Sequence, residues 1–205
     1  MIDTEPEPDP KPARGRPRTM DADKVLDMAV QAYWRGDPAD VSLNAICEMA
    51  GIAKPSLYRE FGNEDGLTCA ALDRYAEQVL SQIFGLLQAG QGLQDTLDAL
   101  VAFASGDPLM ETGCLFYKLR AGKHRLGPKT RARVEGIDAA AVSAFAAYLE
   151  RRRAAGDWGG DQSATVVARY LVEQIGLAFM QRAAGEAPEQ VRQTLALALS
   201  VVRRT

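Results

Sequence analysis

From about Met20 onward, apolar residues recur along this chain at helical spacing. Val25, Met28, Ala29, Ala32 and Tyr33 fall at i, i+3, i+4, i+7 and i+8, one stripe on a first helix that Gly36, Asp37 and Pro38 stop. Ser42 is placed to cap a short second helix carrying Leu43, Ile46, Cys47 and Ala50, and Gly51 ends it. A third short helix is predicted from about Lys54 to Phe61. Asn63 caps a long fourth with Leu67, Ala71, Tyr75, Val79, Phe84 and Leu87. Gly85, Gly90 and Gly92 loosen its end. The fifth carries Leu93, Leu97, Leu100, Val101 and Phe103, and Gly106-Asp107-Pro108 breaks it. Cys114, Leu115 and Leu119 mark a sixth. Gly127-Pro128 opens a seventh with Val134, Ile137, Ala141, Phe145 and Tyr148. After a loop over Gly156 to Gly160, Asp161 is the predicted cap of an eighth, with Val167, Tyr170, Leu171, Gln174, Ile175, Ala178 and Phe179. Pro188 opens a ninth carrying Val191, Thr194, Leu195, Ala198, Leu199 and Val202. No segment alternates as a strand does and no internal repeat is present. The expected class is all-α, with about nine helices.

The segment before Met20 has a different character. Its first ten residues alternate acid and proline, a composition that buries no apolar surface and is expected to be disordered. Lys11, Arg14, Arg16 and Arg18 then form a basic arm leading into the first helix. Residues 1–19 are therefore read as a tail and arm, 20–66 as one domain and 67–205 as a second.

Composition narrows the function classes. The chain has 205 residues, 47% of them hydrophobic and 25% charged, which excludes a wholly disordered polypeptide. No apolar run is long enough to predict a membrane span, and the N-terminus lacks the pattern of a secretory signal. Three cysteines without CxxC spacing (Cys47, Cys69 and Cys114) argue against a disulfide framework or zinc site and fit a reducing cytoplasm. A single histidine, His124, excludes multi-histidine metal centres and leaves catalytic triads one candidate base with no identifiable nucleophile beside it. No cofactor or catalysis is expected. The net charge is −3, so affinity for nucleic acid must come from a local basic surface.

The second and third helices are short and joined by the tight turn Gly51-Ile52-Ala53, the spacing of a helix-turn-helix in which the second helix enters a major groove. In the proposed reader, Leu57 and Phe61 face inward, leaving Lys54, Pro55, Ser56, Tyr58 and Arg59 for DNA. An ordinary helical hairpin has the same spacing.

The stretch from Val25 through Ser42-Leu43, Ala50-Gly51-Ile52-Ala53-Lys54 and Leu57-Tyr58-Arg59-Glu60-Phe61-Gly62-Asn63 to Leu67 resembles a TetR-type transcriptional regulator. The resemblance covers about residues 20 to 70. Beyond them it extends to the helix count, Gly113-Cys114-Leu115 and two closing helices. It implies a homodimer with paired readers on a palindromic operator, a C-terminal domain that binds a small-molecule effector and dimerises through its last two helices, and repression released by that effector. The implied DNA contacts are Arg14, Arg16, Arg18, Ser42, Leu43, Lys54, Pro55, Ser56, Tyr58 and Arg59. Three positions depart from the family. Ala53 stands where Ser usually caps the reader, Pro55 where Gly is common, and Glu64, followed by Asp65, where Lys usually lies near the DNA backbone. The lost cap costs about 1 kcal/mol locally. Proline removes an amide donor, and the acids repel phosphate.

The remaining candidates come from the apolar pool. A ligand pocket is expected among Phe103, Met110, Cys114, Phe116, Tyr117, Phe145, Tyr148, Tyr170, Gln174 and Phe179, and a dimer face among Val167, Leu171, Ile175, Val191, Leu195, Ala198, Leu199 and Val202. The basic stretch Lys118 to Arg133 around His124 reads as a solvated edge, a seat for an anionic effector or an extra phosphate contact. Three rivals stay open. They are an all-α interaction protein whose helix-turn-helix no longer reads DNA, a thiol-sensing regulator using Cys114 or Cys69, and a small helical enzyme using His124.

Overall fold

In the computed structural model, residues 20–36, 38–90, 92–159 and 161–203 are described. Helix α1 (Ala22–Arg35) starts at Asp21, whose side chain accepts from the Lys24 amide, and buries Val25, Ala29, Val30, Tyr33 and Trp34. Ser42 caps α2 (Leu43–Ala50) by accepting from the Ala45 amide. Gly51 ends it in the left-handed conformation, φ 63°, which glycine alone adopts without a Cβ penalty. α3 (Lys54–Phe61) follows with Leu57 as its buried anchor, and Asn63 caps α4 (Glu64–Tyr75).

The predicted long fourth helix is continuous but not uniform. α4 passes through a π-helical turn (Ala76–Leu80) into α5 (Ser81–Gln88). Such a wide turn carries an extra residue and rotates the phase of the next helical segment. Then come α6 (Leu93–Gly106), α7 (Leu115–Ala121), the 27-residue α8 (Pro128–Ala154), α9 (Ala164–Ala183) and α10 (Pro188–Arg203). With α4 and α5 taken as one interrupted helix, nine α-helices and no strand are found among the described residues, the expected all-α class. Asp161 is not the cap of α9. Ser163 is, accepting from Val166 N, because the helix starts two residues later than its acidic flank suggests.

α1 packs on α2 and α4, α8 on α4 and α9, and α10 on α6 and α9. This last pairing buries most of the expected dimer face within the protein's own core. Val191, Leu195, Leu199 and Val202 form the buried side of α10, while Leu171 and Ile175 are buried on α9. Val167 and Ala198 are half-buried, and the Ala198 carbonyl accepts from Tyr170 Oη at 2.8 Å. The most apolar stripe of each helix closes the protein's own core, the stronger demand on it. The large apolar side chains that these helices leave in water are Val166, Leu177 and Met180 on α9 and Leu197 and Val201 on α10, with Leu197 73% exposed.

Candidate nucleic-acid interface and buried cavity

α3 is held by one residue and offers the rest. Leu57 has no exposed surface and Phe61 is half-buried. Lys54, Pro55, Tyr58 and Arg59 are exposed and Ser56 is half-buried, so the five expected reader positions share the outer side of one helix. Ala53 stands at the N-cap without a side-chain bond, and Pro55 occupies the first turn, where an amide has no helical partner in any case. Leu43, also expected at the DNA, is buried with Ile46 and Cys47 next to the capping Ser42. Arg14, Arg16 and Arg18 lie outside the described residues.

Three contacts fasten this head to the rest of the protein. Trp34 Nε1 donates to the Gly113 carbonyl at 2.7 Å, and its ring meets Tyr75 edge-on. Lys118 Nζ, on α7, donates to the Trp34 and Gly36 carbonyls at 2.6 and 3.2 Å, meeting the C-terminal end of α1. Asp65, in the first turn of α4, accepts from the amides of Lys129 and Thr130 at the start of α8. In the sequence Asp65 shows only as an acid facing phosphate, because its partners are 64 and 65 residues away. Partial burial raises its carboxyl pKa, but the hydrogen bonds from Thr130 and Lys129 outweigh that and hold it below the ordinary value.

A cavity of about 30 Å³ lies between α5, α7, α8 and α9. Four expected residues line it: Phe116, Tyr117, Phe145 and Phe179. The others lie elsewhere. Phe103 stacks edge-on behind Phe179, Met110 and Cys114 are core, Tyr148 donates to the Gly92 carbonyl, and Tyr170 turns to α10. Gln174 is half-buried off the cavity. Missed were Leu80, Ile83, Phe84, Ile137, Ala141 and Val172, and Ile175, expected at the dimer face, also lines this space. Aliphatic liners carry no chemical signal that separates them from core. The one polar group in the wall, Tyr117 Oη, donates to the Val172 carbonyl at 2.7 Å, and burial pushes its pKa up.

The cysteines are all free. Burial raises the thiol pKa of Cys114, which is fully enclosed beside Tyr75, and burial together with Asp73 and Asp65 raises that of half-buried Cys69. Both environments disfavour the reactive thiolate. His124 is exposed in a 3₁₀ turn (Lys123–Arg125). Among the described residues no group of His, Cys, Asp or Glu is placed to hold a metal ion, and no helix is long and apolar enough to cross a membrane.

Residues 25–71, spanning α1 to most of α4, match the family model for bacterial regulatory proteins of the tetR family. This stretch is similar to the DNA-binding segment of TetR-type regulators. This TetR-type helix-turn-helix is also similar to that of the HTH-type transcriptional repressor ComR of Escherichia coli K12, 41% identical over 66 residues, which are 32% of this chain and 31% of ComR. The match thus spans about a third of the curated relative's length. Solved structures extend the likeness to the whole TetR fold. Reduced E. coli NemR superposes with a TM-score of 0.77 at 19% identity, covering 88% of this chain and 96% of NemR. A cysteine variant of the TetR-family regulator CifR, solved with 26-bp operator DNA, gives 0.73 at 26% identity, covering 90% and 98%.

Proposed function

We propose that this protein is a DNA-binding transcription regulator, a homodimeric repressor that leaves a palindromic operator when a small molecule enters the cavity between α5, α7, α8 and α9. The observation that carries the reading is α3. A short helix anchored by Leu57 presents Lys54, Pro55, Ser56, Tyr58 and Arg59 outward, inside a stretch that matches the tetR-family model. The repressor named ComR and the operator-bound CifR variant support the DNA partner and the sign of regulation. A cytoplasmic location goes with that role. No catalytic step is assigned.

The dimer rests on Leu177 and Met180 of α9 and Leu197 and Val201 of α10, apolar side chains left in water on neighbouring helices. The effector rests on the cavity wall, which is apolar and aromatic and has its one hydroxyl already bonded, so it favours an uncharged apolar molecule. The alternative of a thiol sensor gains nothing from two cysteines held as thiols. Selection of bound sequences from a random duplex pool tests the main reading. An enriched palindrome supports a dimeric DNA reader. A folded chain that enriches nothing overturns it in favour of an interaction protein.

A further inference from the structure

We propose that the 3₁₀ turn after α7 and the first turns of α8 form a second cationic contact to the phosphate backbone of the duplex that α3 reads. This rests on the DNA-binding reading above and adds residues that the tetR-family match, which ends at residue 71, does not reach.

Between positions 123 and 133 the chain carries Lys123, His124, Arg125, Lys129, Arg131 and Arg133 and no acid, although the whole chain has a net charge of −3. All six side chains are exposed. Lys123 is neutralised by Glu135 at 3.0 Å and Arg133 by Asp73 of α4. For Arg125, Lys129 and Arg131, no carboxylate lies within ion-pair distance among the described residues. The acid that Lys129 meets across the fold is Asp65, and both of its oxygens are taken by the amides of Lys129 and Thr130 and the Thr130 hydroxyl. Asp40 and Glu64 share a groove with Arg125 without pairing with it. Arg131 spends one nitrogen on the Leu126 carbonyl at 2.9 Å, which fixes the turn and leaves the rest of its donors outward.

Position decides what these cations meet. Asp65 is the second residue of α4, and only Gly62 and Asn63 separate that helix from the reader α3. The first amides of α8 lie 2.8 and 3.0 Å from its carboxylate. Lys129, inside the cationic segment, therefore lies one side chain away from the first turn of the helix that follows the reader. Phosphates line both edges of any groove, so a cationic rim beside a groove-reading helix finds them in any sequence. The rim also offsets what the head lacks. Glu60 on the reader and Glu64 just after it are exposed acids, and Pro55 offers no amide.

The test uses the full chain and an Arg125→Gln, Lys129→Gln, Arg131→Gln triple variant. Binding is read by fluorescence anisotropy on the selected operator and on a random duplex, from about 50 to about 300 mM KCl. Each phosphate contact contributes roughly 0.9 to the salt slope, so up to three per protomer in a dimer predict a slope shallower by about 2–5. Affinity is expected to fall by the same ~10–100-fold on both duplexes, leaving sequence preference intact. A triple variant with the wild-type slope, while Tyr58→Ala still weakens binding, overturns the second contact alone. A wild-type chain that binds neither duplex removes the DNA reading itself, and the proposal with it.

Discussion

Asp65 caps a helix to which it does not belong: its Oδ1 accepts from the amide and the hydroxyl of Thr130 at 3.0 and 2.7 Å. The start of α8 has no means of its own. Gly127 at the N-cap has no side chain and Pro128 has no amide hydrogen, so the first two free donors, on Lys129 and Thr130, turn to α4. Replacing Asp65 by Ala is expected to destabilise the protein by about 1–2 kcal/mol, the cost of a lost cap. Urea unfolding measures it. An unchanged midpoint would mean that water caps α8 equally well.

The same contact has a pH signature. The Asp65 carboxyl titrates below its ordinary value of 3.8, so its contribution is complete above that value and is lost as pH falls through the lower, folded one. Wild-type stability should therefore drop more steeply than that of Asp65→Asn below about pH 4. Parallel acid limbs for the two proteins would remove Asp65 as the cause.

Tyr58→Ala and Lys54→Ala are each expected to weaken operator binding by about 1–3 kcal/mol without lowering the unfolding temperature, because both side chains are exposed and anchor nothing. Wild-type affinity in both would displace the reader from this face of α3.

Two leucines two residues apart on α10 should separate folding from assembly. Leu195 is buried, and its change to Ala is expected to cost about 2–5 kcal/mol of stability. Leu197 is exposed, and Leu197→Glu is expected to leave the monomer folded but shift its sedimentation from dimer to monomer. A dimeric Leu197→Glu would place the contact between protomers elsewhere.

The Tyr117 ring packs against Gly176, where an added Cβ would intrude on it. Gly176→Ala should push that ring toward the cavity and break its bond to the Val172 carbonyl, seen as a change in tyrosine fluorescence and loss of effector response with operator binding retained. A crystal structure of the variant with the ring unmoved would refute this.

Local signals were legible and distant ones were not. Ser42, Gly51, Asn63 and Pro128 each announce a helix boundary through chemistry confined to one turn, and the structure puts boundaries at all four. Asp65 carries no such local mark. Its partners lie across the fold, so its sequence context shows only an acid at a helix start. The periodicity of Val191, Leu195, Leu199 and Val202 correctly marks a buried face but does not say buried against what, and α6 competes with a second copy for the same stripe. Aromatic residues stand out in a sequence as cavity liners, whereas much of the wall is built from Leu80, Ile83, Ile137 and Val172, which resemble any core. The π turn at Ala76–Leu80, which resets the phase before Ile83 and Phe84, has no sequence mark of its own.

The space between α5 and α9 is about 30 Å³. Pockets that take drug-sized ligands measure at least about 300 Å³. At about 24 cal/mol per Å³, holding a void of that size open would cost about 7 kcal/mol, comparable to the whole stability of many domains. On the function proposed above, an effector of that size therefore has to make its own room, and part of its interaction energy goes into parting α7 from α8. These helices carry Lys118 and the amides that hold Asp65, so on that proposal the room a guest makes is taken from the contacts that fasten the head.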